Sequence, residues 1–200
     1  MYAVKDLPTN YHLLSTLNLS EKKVILWLNL AAIPLLFVYG YIFIYLINLQ
    51  RSYSPFITGI IGFFTSFSFW KLIVLLLSII VMLILHELIH GIFFYIFTHQ
   101  APRFALKSGY AFAAAPGWYL PCSKYIFVGL SPLVIISFTS IFLCWVVFPF
   151  LIPYLLIIAT FNAAGSLGDM IVIGWVLMQP AATYILDEGD IFFSFGPIRE

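Results

Sequence analysis

The run His86-Glu87-Leu88-Ile89-His90 places two imidazoles and a carboxylate at a spacing suited to metal chemistry. On a helix, positions i and i+4 project from one face. Two imidazoles so placed can hold one zinc ion, and Glu87, beside that face, is a candidate general base. Zinc can lower the pKa of a bound water to about 7, which makes hydroxide available at neutral pH. Glu87 would then take the water proton and pass it to a leaving amine. The run lies in an apolar stretch, where an ionisable group costs about 2.5–3.5 kcal/mol on insertion scales. Such a cost is seldom carried without a partner or a task. A polar cluster that hydrogen-bonds between helices is the competing explanation.

A zinc site that hydrolyses needs a third protein ligand and an open position for water. Outside the motif, Asp169 is the one acid deep in an apolar stretch, within Asn162-Ala163-Ala164-Gly165-Ser166-Leu167-Gly168-Asp169. Asn162, Ser166 and Asp169 stand at i, i+4 and i+7, on one helical face. The alanines and glycines around them are expected to let another helix approach closely. Asp169 is therefore the candidate third metal ligand, and Asn162 and Ser166 are candidate substrate or transition-state contacts. Hydrogen bonding between helices remains open for all three. Neither Cys122 nor Cys144 has metal-ligand spacing, and both read as small buried residues. His12 and His99 read as ordinary loop histidines, and the acidic turn at 187–190 as solvated.

The elements that must position these groups are apolar helices. Of the 200 residues, 63% are hydrophobic and 8% charged, against roughly 25% charged in a soluble domain. So few charges cannot cover a water-facing surface. The expectation is an all-α membrane protein with about four transmembrane helices, at 24–48, 72–97, 125–148 and 153–178. The apolar but short stretch 56–70 reads as re-entrant or interfacial, with a fifth span as the alternative. No polar linker divides the chain, so residues 1–200 read as a single polytopic membrane domain. The first apolar stretch exceeds a usual signal h-region and lacks a small-residue cleavage site, so it reads as a retained span.

Two hairpins are expected outside the spans. In one, Ser108-Gly109 separates Arg103–Lys107 from Tyr110–Ala113. In the other, Tyr184–Leu186 and Ile191–Phe193 flank the acidic turn of a 180–200 tail. A strand edge on the first hairpin could pair with an unwound substrate segment. Lys5, Lys22, Lys23, Arg103, Lys107, Lys124 and Arg199 fall on one side of a four-span topology, leaving Arg51 and Lys71 on the other. The positive-inside rule makes the richer side cytoplasmic, with both termini on it and a 180–200 cytoplasmic tail. A formal net charge of +1 gives no reason to expect nucleic acid.

The motif in one span, followed by Asn-x-x-Gly-Ser-x-Gly-Asp in a later one, resembles a bacterial membrane family of zincin peptidases. That family, a domain of unknown function, is similar to the site-2 intramembrane zinc metalloproteases. The resemblance extends to Ala115-Pro116-Gly117-Trp118-Tyr119 and Pro132. It implies zinc ligation by His86, His90 and Asp169, one zinc per chain, with Glu87 as the catalytic acid/base. Site-2 enzymes place a proline between the Asn and an Asp-Gly pair; here the order is Gly168-Asp169 and no proline intervenes.

The expected function is hydrolysis of peptide bonds in membrane-associated substrates by zinc-activated water, with Glu87 as general base. The expected partners are the lipid bilayer and a membrane-protein or peptide substrate. A non-catalytic zinc-binding scaffold or interaction protein is the alternative. An intact Glu87 favours hydrolysis, because holding zinc needs only the ligands.

Overall fold

A computed structural model of the chain describes residues 2–49, 60–63, 65–66, 68–107, 110–146 and 148–197. The elements run β1 (Tyr11–Asn18), α1 (Lys22–Asn48), α2 (Phe69–Thr98), β2 (Arg103–Lys107), β3 (Tyr110–Ala114), β4 (Tyr119–Pro121) and α3 (Cys122–Val146). A 3-10 turn at Pro149–Leu151 leads into α4 (Ile152–Gly165), α5 (Leu167–Leu177), β5 (Tyr184–Asp187) and β6 (Ile191–Pro197).

The chain is mostly helical. Among the described residues α1, α2 and α3 are each long and apolar enough to cross a membrane. The pair α4 and α5, bent by 43° at its break, is a fourth candidate. Of the re-entrant stretch expected at 56–70, residues 56–59, 64 and 67 lie outside the described residues, and 60–63 are helical. An all-α fold is not what forms. A four-stranded antiparallel sheet of order β1-β6-β5-β4 and a separate β2–β3 hairpin accompany the helices. The leader ahead of α1 supplies β1.

The chain divides into two compact units, and α1, α2 and α3 each run from one into the other. The first unit comprises Met1–Leu28, Glu87–Ser131 and Leu167–Glu200. Its strands come from three separated stretches: β1 from the leader, β4 from the segment before α3, and β5–β6 from the C-terminal segment. Tyr11 to Asn18 run against Pro197 to Ile191, and Tyr119 to Pro121 against Leu186 to Tyr184. Val4 adds a two-hydrogen-bond bridge to Tyr119. Along β6 buried and half-buried residues alternate, as the two-residue period of a strand with one packed face requires. Phe94, Leu120, Tyr125, Val128, Val172, Ile173, Val176, Ile185 and Phe192 form the core of this unit. Buried Ser194 hydrogen-bonds with Ser15 and Gln179.

The second unit comprises Asn29–His86 and Pro132–Ser166. Its helices pack through Ile47, Cys144 and Ile152, and through Phe43, Ala159 and Ala163. Much of their apolar surface stays uncovered. Phe37, Leu76, Ile84 and Phe138 are all more than half exposed, a burden that water penalises at about 25 cal/mol per Å2 and that hydrocarbon does not.

Candidate metal centre

His86 and His90 lie one turn apart on α2, which continues unbroken through both. Both are buried, while Glu87 is half-buried. Each imidazole is oriented by a carbonyl oxygen. His90 Nδ1 lies 2.9 Å from the Val128 backbone oxygen. His86 Nδ1 lies 3.0 Å from Asn162 Oδ1. A carbonyl only accepts, so each Nδ1 carries the proton and donates it. In the neutral ring the lone pair is then on Nε2, the form a metal takes as ligand.

His90 Nε2 stands 3.5 Å from Asp169 Oδ1. An imidazolium–carboxylate hydrogen bond closes to about 2.7–2.9 Å. Two ligand atoms on a tetrahedral zinc with bonds of about 2.0–2.1 Å sit roughly 3.4 Å apart. The spacing therefore fits a shared ion better than a direct pair. His86, His90 and Asp169 are a group whose donor atoms could hold a metal ion, and two imidazoles with one carboxylate are a zinc donor set. The Asp169 side chain is 28% exposed, so it is not sealed within the protein.

The break between α4 and α5 sets the acid. Ser166 caps α4, its backbone N–H and its hydroxyl both donating to the Asn162 carbonyl, the latter at 2.9 Å. Asp169 then falls in the first turn of α5. Asn162, 1% exposed, has its amide engaged as well: Nδ2 donates to the Pro132 oxygen at 3.2 Å and lies 3.4 Å from Ser137 Oγ. The crowding expected around this run is carried by Ala163 and Ala164, which are buried. Gly165 and Gly168 take no part in it, since a Cβ at either would meet nothing within 4 Å.

The β2–β3 hairpin forms with the expected strands, pairing Arg103 with Ala114 and Lys107 with Tyr110, while its Ser108-Gly109 turn lies outside the described residues. It is fastened at several points. The Phe104 ring packs on Gly91, next to His90, where any side chain would collide with it. The Phe112 ring lies against Gly189, and the Tyr110 hydroxyl donates to Asp190 Oδ2 at 2.8 Å. Both contacts reach the β5–β6 turn, where Gly189 takes a φ of 100° that a side chain would strain.

That turn corrects a sequence expectation. Asp187 is not solvated but 5% exposed. Its Oδ2 accepts the Tyr125 hydroxyl at 2.6 Å and its Oδ1 accepts the Gly189 N–H at 2.7 Å. Burial pushes its carboxyl up from 3.8 to about 6, against those two hydrogen bonds, which favour the charged form. An acid whose folded pKa is raised stabilises the fold fully below its unfolded pKa, and the contribution is lost as pH rises through the folded value. The window is therefore about pH 4 to 6, and the loss amounts to at most about 3 kcal/mol. The wild-type unfolding midpoint should fall across that window and then level off. Asp187→Asn should remove this slope, and a wild-type slope that persists in the variant would assign it to another group. Thermal unfolding of detergent-solubilised protein at pH 4.5, 6 and 7.5 reads the difference.

Tyr125, the Val128 carbonyl and Asp187 were not singled out from sequence. The first and last are ordinary residue types, and a backbone oxygen has no sequence signature of its own. One signal was present: a proline at 132 removes the helical donor for the carbonyl four residues earlier.

Comparison with known proteins is consistent with this chemistry. Over 123 residues the chain is 31% identical to a Pyrococcus woesei protein named "Uncharacterized 24.7 kDa protein in gap 5'region". The match covers 60% of this chain and 54% of that relative, so it spans about half the relative's length. No solved structure matches the chain. A family model matches residues 79–184, more than half of the chain and a stretch that contains the histidine motif and Asp169. By that match the chain belongs to the family described as "Putative zincin peptidase".

Proposed function

We propose that the protein is a membrane-embedded zinc peptidase that cleaves membrane-associated polypeptides, with one zinc held by His86, His90 and Asp169. The observation that carries this reading is the orientation of the two motif histidines. Both Nδ1 protons are committed to carbonyl oxygens, and the Nε2 of His90 is at ligand spacing from Asp169. Bound zinc would supply a Lewis acid for the scissile carbonyl and a water acidic enough to ionise near pH 7. Glu87, on the same turn of α2, would take the proton of the attacking water and deliver it to the leaving nitrogen. Asn162 and Ser166, proposed as contacts for substrate or transition state, would act from the bend of α4. The apolar exposure of the helices supports cleavage in or at the bilayer.

Strand pairing supports the sidedness. Val4 pairs with Tyr119, and β4 pairs with β5, which supports placing the leader, middle loop and C-terminal segment on one side of a membrane. Helices α1 and α2 provide an even number of crossings between Val4 and Tyr119, and α3 with the bent pair provides two more. The basic residues make that side cytoplasmic, with both termini on it. Single cysteines replacing Lys5 or Glu188, both exposed, should resist an impermeant thiol reagent in intact cells and react after lysis. Labelling from outside would reverse the orientation. The hairpin β2–β3, tied to Gly91 beside the motif, is placed to offer a strand edge to an unwound substrate.

The reading is tested by zinc-dependent peptide hydrolysis with purified protein and its Glu87→Gln variant. Zinc bound without Glu87-dependent cleavage would favour a scaffold.

A further inference from the structure

In an α-helix the N–H at position i bonds the carbonyl at i−4. Position 132, inside α3, is proline and has no N–H to give. The carbonyl deprived of its helical donor is that of Val128. It is the carbonyl that accepts the His90 Nδ1 proton at 2.9 Å, with Ser131 Oγ donating to it at 2.8 Å. The carbonyl of Pro132 itself accepts Asn162 Nδ2 at 3.2 Å, which turns Oδ1 of the same amide toward His86 Nδ1 at 3.0 Å. The proline is fully buried. One residue thus stands behind the orientation of both histidines, freeing an acceptor for one and holding the acceptor of the other.

We infer that Pro132 is a positioning residue for the metal centre, holding His86 and His90 in the Nδ1-protonated tautomer that presents Nε2 to zinc. The inference rests on the zinc reading for its purpose and on hydrogen-bond geometry for its content. Alanine at 132 restores the backbone N–H, which competes with His90 for the Val128 oxygen. Drawing that oxygen into the helical ladder would also move the neighbouring 132 carbonyl relative to Asn162. Loss of partners that orient metal-ligating histidines typically costs 10–100-fold in metal affinity.

The test compares wild type, Pro132→Ala and Pro34→Ala in detergent. Pro34 also lies inside a helix, α1, but at an exposed position. Zinc affinity is read by competition with a chromophoric chelator, and histidine tautomers by nitrogen-15 NMR of the metal-free protein. Pro132→Ala should bind zinc 10–100-fold more weakly and show a new Nε2-protonated population, with helicity by circular dichroism unchanged. Pro34→Ala should stay within about twofold of wild type. Wild-type affinity together with wild-type tautomers in Pro132→Ala overturns the inference. Should Pro132→Ala fail to fold, Asn162→Ala tests the His86 arm alone, and an unchanged His86 tautomer there overturns it. If wild type itself binds no zinc, the peptidase reading fails, and the tautomer spectra still decide the role of Pro132.

Discussion

Glu87→Gln is expected to retain about one zinc per chain and to lose peptide hydrolysis by about 10^2–10^4-fold, the usual contribution of a positioned general base. Glutamine matches glutamate in size, so α2 and its packing should be undisturbed. Its carboxamide cannot take a proton from water at neutral pH. Glu87 is half-buried. It is also not one of the three donors of the candidate metal group. Activity and metal content should therefore separate in this variant alone. Elemental analysis and initial rates on the same preparation read both. Undiminished turnover would place the base elsewhere, and loss of zinc would make Glu87 part of the metal-binding set.

The second large effect concerns the metal. Removing both imidazoles in a His86→Ala, His90→Ala double variant should abolish stoichiometric zinc. Zinc sites of four ligands contribute about 10–16 kcal/mol of apparent binding energy, so each ligand is worth on the order of 10^2–10^3 in affinity. Asp169→Ala should accordingly weaken binding by a similar factor, since its Oδ1 stands at ligand distance from His90 Nε2. Full zinc occupancy in the double variant would remove the site altogether. Undiminished affinity in Asp169→Ala would send the third ligand elsewhere.

Local features of the site were legible in the sequence, and long-range ones were not. The i, i+4 spacing of His86 and His90 needs only a helix to bring the rings to one face, and a long apolar run supplies the helix. Asp169 was visible because an acid deep in an apolar stretch calls for a reason. The helices followed from the length of apolar runs, although the bend at Ser166 left no clear mark. The β5–β6 hairpin was legible from its flanked acidic turn, but the rest of the sheet was hidden because its strands are remote: Ser15 bonds Ser194 across 179 positions, and no local pattern announces such a partner. Asp187 was misjudged for the same reason, because the Tyr125 hydroxyl that meets it comes from the start of α3. Gly165 and Gly168 looked like packing glycines but face open space. Composition alone cannot tell a glycine that admits a neighbour from one that does not.

The most direct test of a zinc peptidase that works on membrane-associated chains is a comparison of membrane proteomes. Cells carrying the wild-type protein are compared with cells carrying Glu87→Gln at equal expression, and newly formed peptide termini are identified by mass spectrometry. A small set of termini present only with the wild-type protein, arising within or beside apolar segments, is the predicted result. Indistinguishable termini in the two strains, with zinc bound in both, would contradict a peptidase and leave a metal-holding scaffold.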